Sequence, residues 1–546
     1  MVRTAWTNLN GLWDYAIQPK EAGLPSAFNG TILVPFPLES ALSGVKGTLT
    51  PEQRLWYRRT FRAAALSGGK RLLLHFGAVD WRAEVFVNGK RVGEHEGGYD
   101  PFTFDITDAL KAGSASQELA VAVWDPTDTA LQPRGKQVLK PNSIWYTAVS
   151  GIWQTVWLEP VPSASITDIT MIPDVDGRKL RLTVQASAAG EFTATASLGG
   201  RQVGRVTGRT GTETAVPLSA VETWSPDTPV LYDLEIRLQS GDAVKSYFGM
   251  RKIEFRKDSA GFNRLYLNNH PQFMIGPLDQ GWWPDGLYTA AGDEAIRFDI
   301  ETLKKLGFNM LRKHVKVEPA RYYYWCDKLG ILVWQDMPSV NGRGATVRKG
   351  SPEDAKFPPA DAADFQRELK ALVANLKNTT SIIAWVPFNE GWGQHDTNGI
   401  LKMVNALDPS RLVDGPSGWE DRGFGAMKDM HDYPGPNMFP VMPDRVSVLG
   451  EFGGLGFPVE GHLWWTDKRN WGYRNFQDRA ALQAAYEDLL AKLAPLVKKG
   501  LGAAVYTQTS DVEAEVNGLM TYDRKVVKFD AAKLAALHKS LIDGVK

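Results

Sequence analysis

The sequence predicts a multidomain fold: a jelly-roll β-sandwich, an immunoglobulin-like β-sandwich and a C-terminal (β/α)8 TIM barrel. Three observations carry this. Up to residue 160, short β-prone runs recur between turn signals and no long helical period appears. Across residues 161–257 alternating strands continue, in a stretch of the size that a seven-stranded sandwich needs. From 258 to 546, apolar runs alternate with helical segments, the pattern of βα units on a parallel sheet. The expected domains are therefore 1–160, 161–257 and 258–546.

The first sandwich is read from RLLLHF (71–76), AEVFVNG (83–89), ELAVAVW (118–124) and QTVWLEP (154–160). Asn88-Gly89 marks a hairpin, since both residues tolerate positive φ. The second sandwich, from ITDITMIPDV to KSYFGMRKIEF, has no histidine and only scattered carboxylates, so it reads as a spacer. The barrel strands are FMIGPL (273–278), FNMLRKH (308–314), ILVWQDM (331–337), SIIAWVPFNE (381–390), RLVDGPS (411–417), MKDMHDY (427–433), SVLGEFG (447–453) and GAAVYTQ (502–508). Eight such runs over one domain length are what a closed parallel barrel requires. Ile296, Ile300, Leu303 and Leu306 fall near helical spacing, with Gly307 as C-cap. Further helices are expected at EPARYYYWCDKLG, around 361–378 and near 475–499. Residues 418–426 and 434–446 lack a helical period, so helices five and six are expected to be short or lost.

Composition removes several function classes. Lys+Arg and Asp+Glu are both 62, so no polyanion is steered to this chain and no nucleic-acid partner is expected. No run reaches the ~18 apolar residues of a membrane helix, and the N-terminus shows no apolar signal region. A soluble protein is expected, cytoplasmic as written, or periplasmic or secreted if a leader was trimmed. Cys326, the single cysteine, excludes an internal disulfide or a cysteine metal site. Nineteen tryptophans, many beside Gly, Asn, Asp or Gln, supply apolar faces of the kind that stack on sugar rings.

The chemistry gathers at strand ends, where barrel active sites sit. SIIAWVPF is apolar throughout and is followed abruptly by Asn389, Glu390, Gly391 and Trp392. Strand two offers Arg312 and His314, strand three Asp336, strand six His431 and Tyr433, strand seven Glu451, strand eight Gln508. Singly, each reads more readily as a structural rim residue than as a catalytic one; together they converge. Glu390 and Glu451 can face each other over a central pocket, as the two carboxylates of glycoside hydrolysis must. Trp385 and Trp392 should favour a protonated acid at Glu390, whereas Arg312 and Tyr433 should keep Glu451 ionised as the nucleophile. No metal or other cofactor is expected. A metal-dependent barrel hydrolase built on His314, His395 and His431-Asp432 lacks the spacing of a tight site.

LNGLWDYAI, LWYRRTF, residues 75–107, GIWQTVWLE, FGMRKIEF, FNMLRKHV, NEGWGQ and GEFGG together resemble glycoside hydrolase family 2, the β-galactosidase, β-glucuronidase and β-mannosidase family. The resemblance implies that Glu390 is the acid/base, Glu451 the nucleophile and Asn389 a ligand of the sugar 2-hydroxyl. It implies a retaining exo-glycosidase with an oligosaccharide or glycoside substrate, in some relatives as a homo-oligomer. A β-galactoside is the expected substrate, with β-glucuronide, β-mannoside or α-L-arabinopyranoside as alternatives, and a non-catalytic carbohydrate-binding relative as the alternative of another class. Strand two departs from the family, reading RKHVK. The insertion GPLDQGWWPDGLYT (276–289), with Trp464 and Trp465, is expected to shape the pocket, and Asp279, Trp282 and Trp283 to contact sugar or else to pack the loop. Lys313, Lys316, Arg343, Arg348 and Lys349 are the cations available to a uronate carboxylate, and no convincing Asn-x-Lys element like that of the β-glucuronidases accompanies them.

Overall fold

A computed structural model describes residues 1–545 apart from 64, 65, 114, 343 and 434. Alternating burial builds the N-terminal region. RLLLHF and RAEVFV both bury every second residue, so each strand has one dry and one wet face. A six-stranded and a four-stranded antiparallel sheet bury Trp13, Tyr57, Leu74, Val85 and Val121 between them. Asn88 and Gly89 turn the hairpin with φ of 52° and 77°. The next region pairs a three-stranded with a four-stranded sheet over a separate core that includes Leu182, Phe192 and Ile236.

The barrel strands are β1 (Met274–Asp279), β2 (Met310–Lys313), β3 (Leu332–Asp336), β4 (Ile382–Val386), β5 (Leu412–Val413), β6 (Met427–Asp432), β7 (Val446–Gly453) and β8 (Leu501–Thr507). Most are buried on both faces, which explains their unbroken apolar runs. They lie in the order β5-β4-β3-β2-β1-β8-β7-β6, and a parallel bridge between Asp414 and Met427 joins the two ends. Around them pack α1 (Asp293–Lys305), α2 (Ala320–Leu329), α3 (Pro359–Leu376), α4 (Thr397–Leu407), α5 (Arg479–Lys498) and α6 (Ala531–Asp543). Gly307 ends the α1 turn at φ 84°. Among the described residues no helix separates β5 from β6 or β6 from β7, in keeping with the patternless sequence there. No helix is long and apolar enough to cross a membrane.

Two contacts fix the barrel's geometry from outside the site. Arg251, leaving the second sandwich, donates to the carbonyls of Thr380, Ile382 and Ser410 and so anchors the start of β4. Gly276 lets β1 approach β2: a Cβ there would lie 1.8 Å from the Met310 carbonyl oxygen, a backbone atom that cannot swing away. Gly276→Ala is therefore expected to destabilise the barrel by roughly 1–3 kcal/mol through overpacking, read as a lowered thermal midpoint; an unchanged midpoint would contradict this close packing.

Candidate active site

Arg312 is the hub. It is fully buried at the end of β2 and, with a 3.4 Å contact to His431 Nε2 on β6, reaches four other elements. Nε and Nη2 each donate to Asp336 at 3.0 Å, Nη2 also to Asn389 Oδ1 at 2.8 Å, and Nη1 to the Gly450 carbonyl at 3.2 Å and Glu451 Oε1 at 3.4 Å. Burial opposes the guanidinium charge, but Asp336 and Glu451 more than restore it. His314 donates from Nδ1 to Asp336 at 2.9 Å. Burial and then Lys136 hold its pKa well below the ordinary value, so the ring is neutral.

Glu451 receives further donors. Tyr433 Oη donates to Oε2 and stands 3.2 Å from Thr507 Oγ1. Burial favours the neutral acid, yet His431 foremost, with Arg312 and Lys136, holds the carboxyl down at about 2. Glu451 is therefore ionised throughout the neutral range.

Glu390 has a different setting. It sits in the left-handed region at φ 50°, followed by Gly391 at 75° and Gly393 at 63°. Those glycines are required by space as well: a Cβ on Gly391 would lie 2.4 Å from the Val347 carbonyl oxygen. The sharp turn lifts Glu390 off the end of β4 and leaves its side chain partly open, at 16% exposure against 6% for Glu451. Glu390 Oε1 lies 2.9 Å from His431 Nδ1, which is also 3.6 Å from Glu451 Oε1. One oxygen of each carboxylate and a His431 nitrogen all fall within 4.8 Å of one another. On the far side of the ring, Ser417 Oγ donates its proton to Asp429 and so accepts from His431 Nε2, 2.8 Å away. The ring can then donate from both nitrogens, as the imidazolium does, although Arg312 Nη1, which only donates, also stands 3.4 Å from Nε2. Burial opposes that charge, but Glu451 and Glu390 raise the His431 pKa above its usual value.

The other sequence-expected residues divide. Asn389 joins the cluster and leaves Nδ2 without a partner among the described residues. Trp392 lies at the rim, its ring 4.9 Å from Trp145 and 6.3 Å from His314. Gln508 donates to Asn517 Oδ1, and its own oxygen has no described partner. Asp279 and Trp283 are not brought to the carboxylates. Asp279 is consumed by Lys313, Tyr322 and the Gly281 amide, and Trp283 lies under Arg524. Trp282 is core, packed on Tyr146 and Tyr288. Trp385 points away from Glu390, because successive strand side chains alternate faces and its indole donates to Asp408. Trp464 packs on Tyr522, and Trp465 lies under Lys468. His395 stacks on Phe357, outside the cluster. Lys313 and Lys316 are held by Asp279 and Glu318, Lys349 covers Trp419, and Arg343 lies outside the described residues.

Four residues are absent from the sequence reading. Lys136, Trp145 and Tyr146, from the first sandwich, extend over the barrel mouth, and Tyr146 Oη donates to Glu515. Thr147 donates from its amide to Glu513 Oε1 at 2.8 Å. The only local signal was the aromatic pair of IWYT in a stretch without strand or helix period. The ionisation of Glu451 carries a stability prediction. Its folded value of about 2 lies below the ordinary carboxylate value. Ionisation therefore favours the folded state above roughly pH 4, a contribution lost between about pH 4 and 2. Glu451→Gln is expected to melt below wild type at neutral pH, with the gap closing as the pH falls through that window; a gap of constant size would contradict the charge cluster.

Comparison with known proteins agrees with the geometry. Residues 45–150 match the family model described as glycosyl hydrolase 2 galactose-binding domain-like. Residues 164–251 match glycosyl hydrolases family 2, and 264–432 that family's TIM barrel domain, a stretch that includes Glu390 and ends before Glu451. The chain is 27% identical over 389 residues to a β-galactosidase of Thermoanaerobacter pseudethanolicus, covering 66% of this chain and 48% of the relative. It is 26% identical over 391 residues to a putative β-glucuronidase of Formosa agariphila, covering 65% and 44%. The chain thus spans about half the length of these curated relatives. A solved β-D-glucuronidase of Dictyoglomus thermophilum superposes with a TM-score of 0.80 at 17% identity, over 99% of this chain and 98% of that one, and so shares the fold. Three family models matched in consecutive order, over the same two sandwiches and barrel that the strands build, establish that the chain belongs to glycoside hydrolase family 2.

Proposed function

We propose that the protein is a retaining exo-glycosidase that removes a terminal sugar by double displacement. Glu451 attacks the anomeric carbon and forms a covalent glycosyl-enzyme. Glu390 protonates the departing oxygen, then takes a proton from the water that releases the sugar. The observation that carries this reading is the carboxylate pair: one oxygen of each lies within 4.8 Å of the other, near the ~5–5.5 Å separation of retaining enzymes and short of the ~6.5–9.5 Å of inverting ones.

The surroundings support the division of roles. Glu451 is ionised and oriented by Arg312 and Tyr433, as a nucleophile must be. Glu390 is the more open of the two and faces His431, which can hold its carboxylate in place after proton transfer. Asn389 Nδ2, unpartnered beside them, is placed for the sugar 2-hydroxyl. A β-galactoside is the favoured substrate, since relatives in sequence carry that name. A β-glucuronide is the second reading, because others among the relatives are named putative β-glucuronidases. Domain limits at 160 and 257 belong to the same proposal.

Glu451→Ala is expected to lose at least about 10⁴-fold in turnover on every glycoside. Glu390→Ala should lose about 10²–10⁴-fold on substrates with poor leaving groups but keep the first step on aryl glycosides, with azide restoring turnover as the glycosyl azide of retained configuration. The measurement is a panel of para-nitrophenyl glycosides with early-time NMR of the product anomer; an inverted first product would overturn the mechanism.

A further inference from the structure

We infer that Lys136, carried to the barrel mouth by the first β-sandwich, is a specificity-determining residue that donates to hydroxyl groups of the bound sugar, and that the subsite it completes takes a neutral glycosyl unit rather than a uronate. This rests on the glycosidase reading and narrows it.

The backbone around Lys136 is built to hold it there. The Arg134 and Gly135 amides donate to the Ser339 carbonyl, beyond β3, at 3.2 and 3.0 Å. The Lys136 carbonyl accepts from the Tyr146 amide at 2.9 Å, and Gln137 donates to Asp80 and Tyr99. Gly135 has φ 62°, and a Cβ on it would lie 2.4 Å from the Val315 carbonyl oxygen, so the segment rests directly on the barrel. The Lys136 side chain is 4% exposed, with Nζ 5.5 Å from the Tyr146 ring and 6.0 Å from that of Trp392.

Other buried lysines of the barrel are fully engaged. Lys313 pairs with Asp279 and Glu318, Lys316 with Glu318 and two carbonyls, Lys528 with Asp511 and a carbonyl. The Lys136 ammonium makes no hydrogen bond or ion pair to any described residue, although Glu515, Glu451 and Glu390 all lie within its field. A largely buried ammonium given no protein acceptor is a costly arrangement unless water or a ligand supplies one.

The chemistry of that ligand follows from the neighbours. An incoming carboxylate would meet one uncommitted cation, but it would also enter the field of ionised Glu451 and of Glu515. Arg312, another cation in the same field, is spent on Asp336, Asn389 and Glu451, and His431 faces Glu390 and Glu451. The unpartnered polar atoms nearby are of both kinds: Asn389 Nδ2 is a donor, and the Gln508 and Glu513 oxygens are acceptors. Hydroxyl groups satisfy both kinds, because each donates and accepts, whereas a carboxylate can only accept.

The test compares wild type with Lys136→Met on para-nitrophenyl β-galactoside, its single-deoxy analogues and the β-glucuronide, with thermal melts of both proteins. Wild type is expected to prefer the neutral sugar by 100-fold or more in kcat/KM. Lys136→Met should lose 100-fold or more on it while melting no lower than wild type. At least one deoxy analogue should cost wild type heavily and the variant almost nothing, a coupling that a purely structural lysine would not show. Unchanged activity in Lys136→Met, equal deoxy penalties in both proteins, or a wild-type preference for the glucuronide would overturn the assignment while leaving the glycosidase reading intact. Absence of turnover on every glycoside of the panel would sink both.

Discussion

The buried guanidinium of Arg312 is the interaction on which the site depends. A single side chain at the end of β2 binds groups from β3, the β4 turn and β7, so it fixes the mutual positions of three strand ends. A buried ion pair is not in itself a strong source of stability, because desolvation offsets much of the attraction. Here nearly every donor is satisfied, by two carboxylates, an amide and a carbonyl, and what the network gains is geometric definition. Asp336 shows this best. It touches neither Glu390 nor Glu451, yet by holding Arg312 and His314 it sets where one carboxylate sits and keeps a neutral ring beside it.

Two carboxylates so close cannot share one environment. Glu451 lies in the Arg312–Tyr433 corner with its charge held by buried cations, whereas Glu390 stands on a left-handed turn at the opening. His431 lies between them. A proton on its ring lowers the repulsion between the two carboxylates whenever both are ionised. The Ser417–Asp429 pair behind the ring fixes its orientation, because a serine that donates to a carboxylate can only accept from the ring.

Much of this was legible in sequence, and for a physical reason. Strands buried on both faces must be apolar throughout, so all eight barrel strands announced themselves, and polar residues at their ends stood out. The missing helices between β5 and β7 were equally visible as missing periodicity. The turn after β4 went unread, although positive φ at two of its positions calls for Gly391 and Gly393. What failed was direction. Asp279 and Trp283 have the right chemistry, but Lys313, Tyr322 and Arg524 claim them, and a sequence does not display who a side chain's neighbour is. Trp385 failed by parity, one position off the inward face of β4.

Lys136 and Tyr146 were invisible for a different reason. They belong to a stretch whose backbone is organised by another part of the molecule, through the Ser339 carbonyl and through Glu513 and Glu515 after β8. The two carboxylates, Arg312 and His431 all come from the barrel, while Lys136 of the sandwich adds to the field that holds Glu451 ionised. The wall facing them is shared: Trp145 lies against Trp392, Tyr146 against Glu515, and Lys136 points among the carboxylates from the sandwich side. On the reading proposed for Lys136, recognition is shared between the sandwich and the barrel, while the carboxylates belong to the barrel. Loops of the sandwich can change which sugar is held without disturbing Arg312, whereas no change at Arg312 leaves the carboxylates where they are.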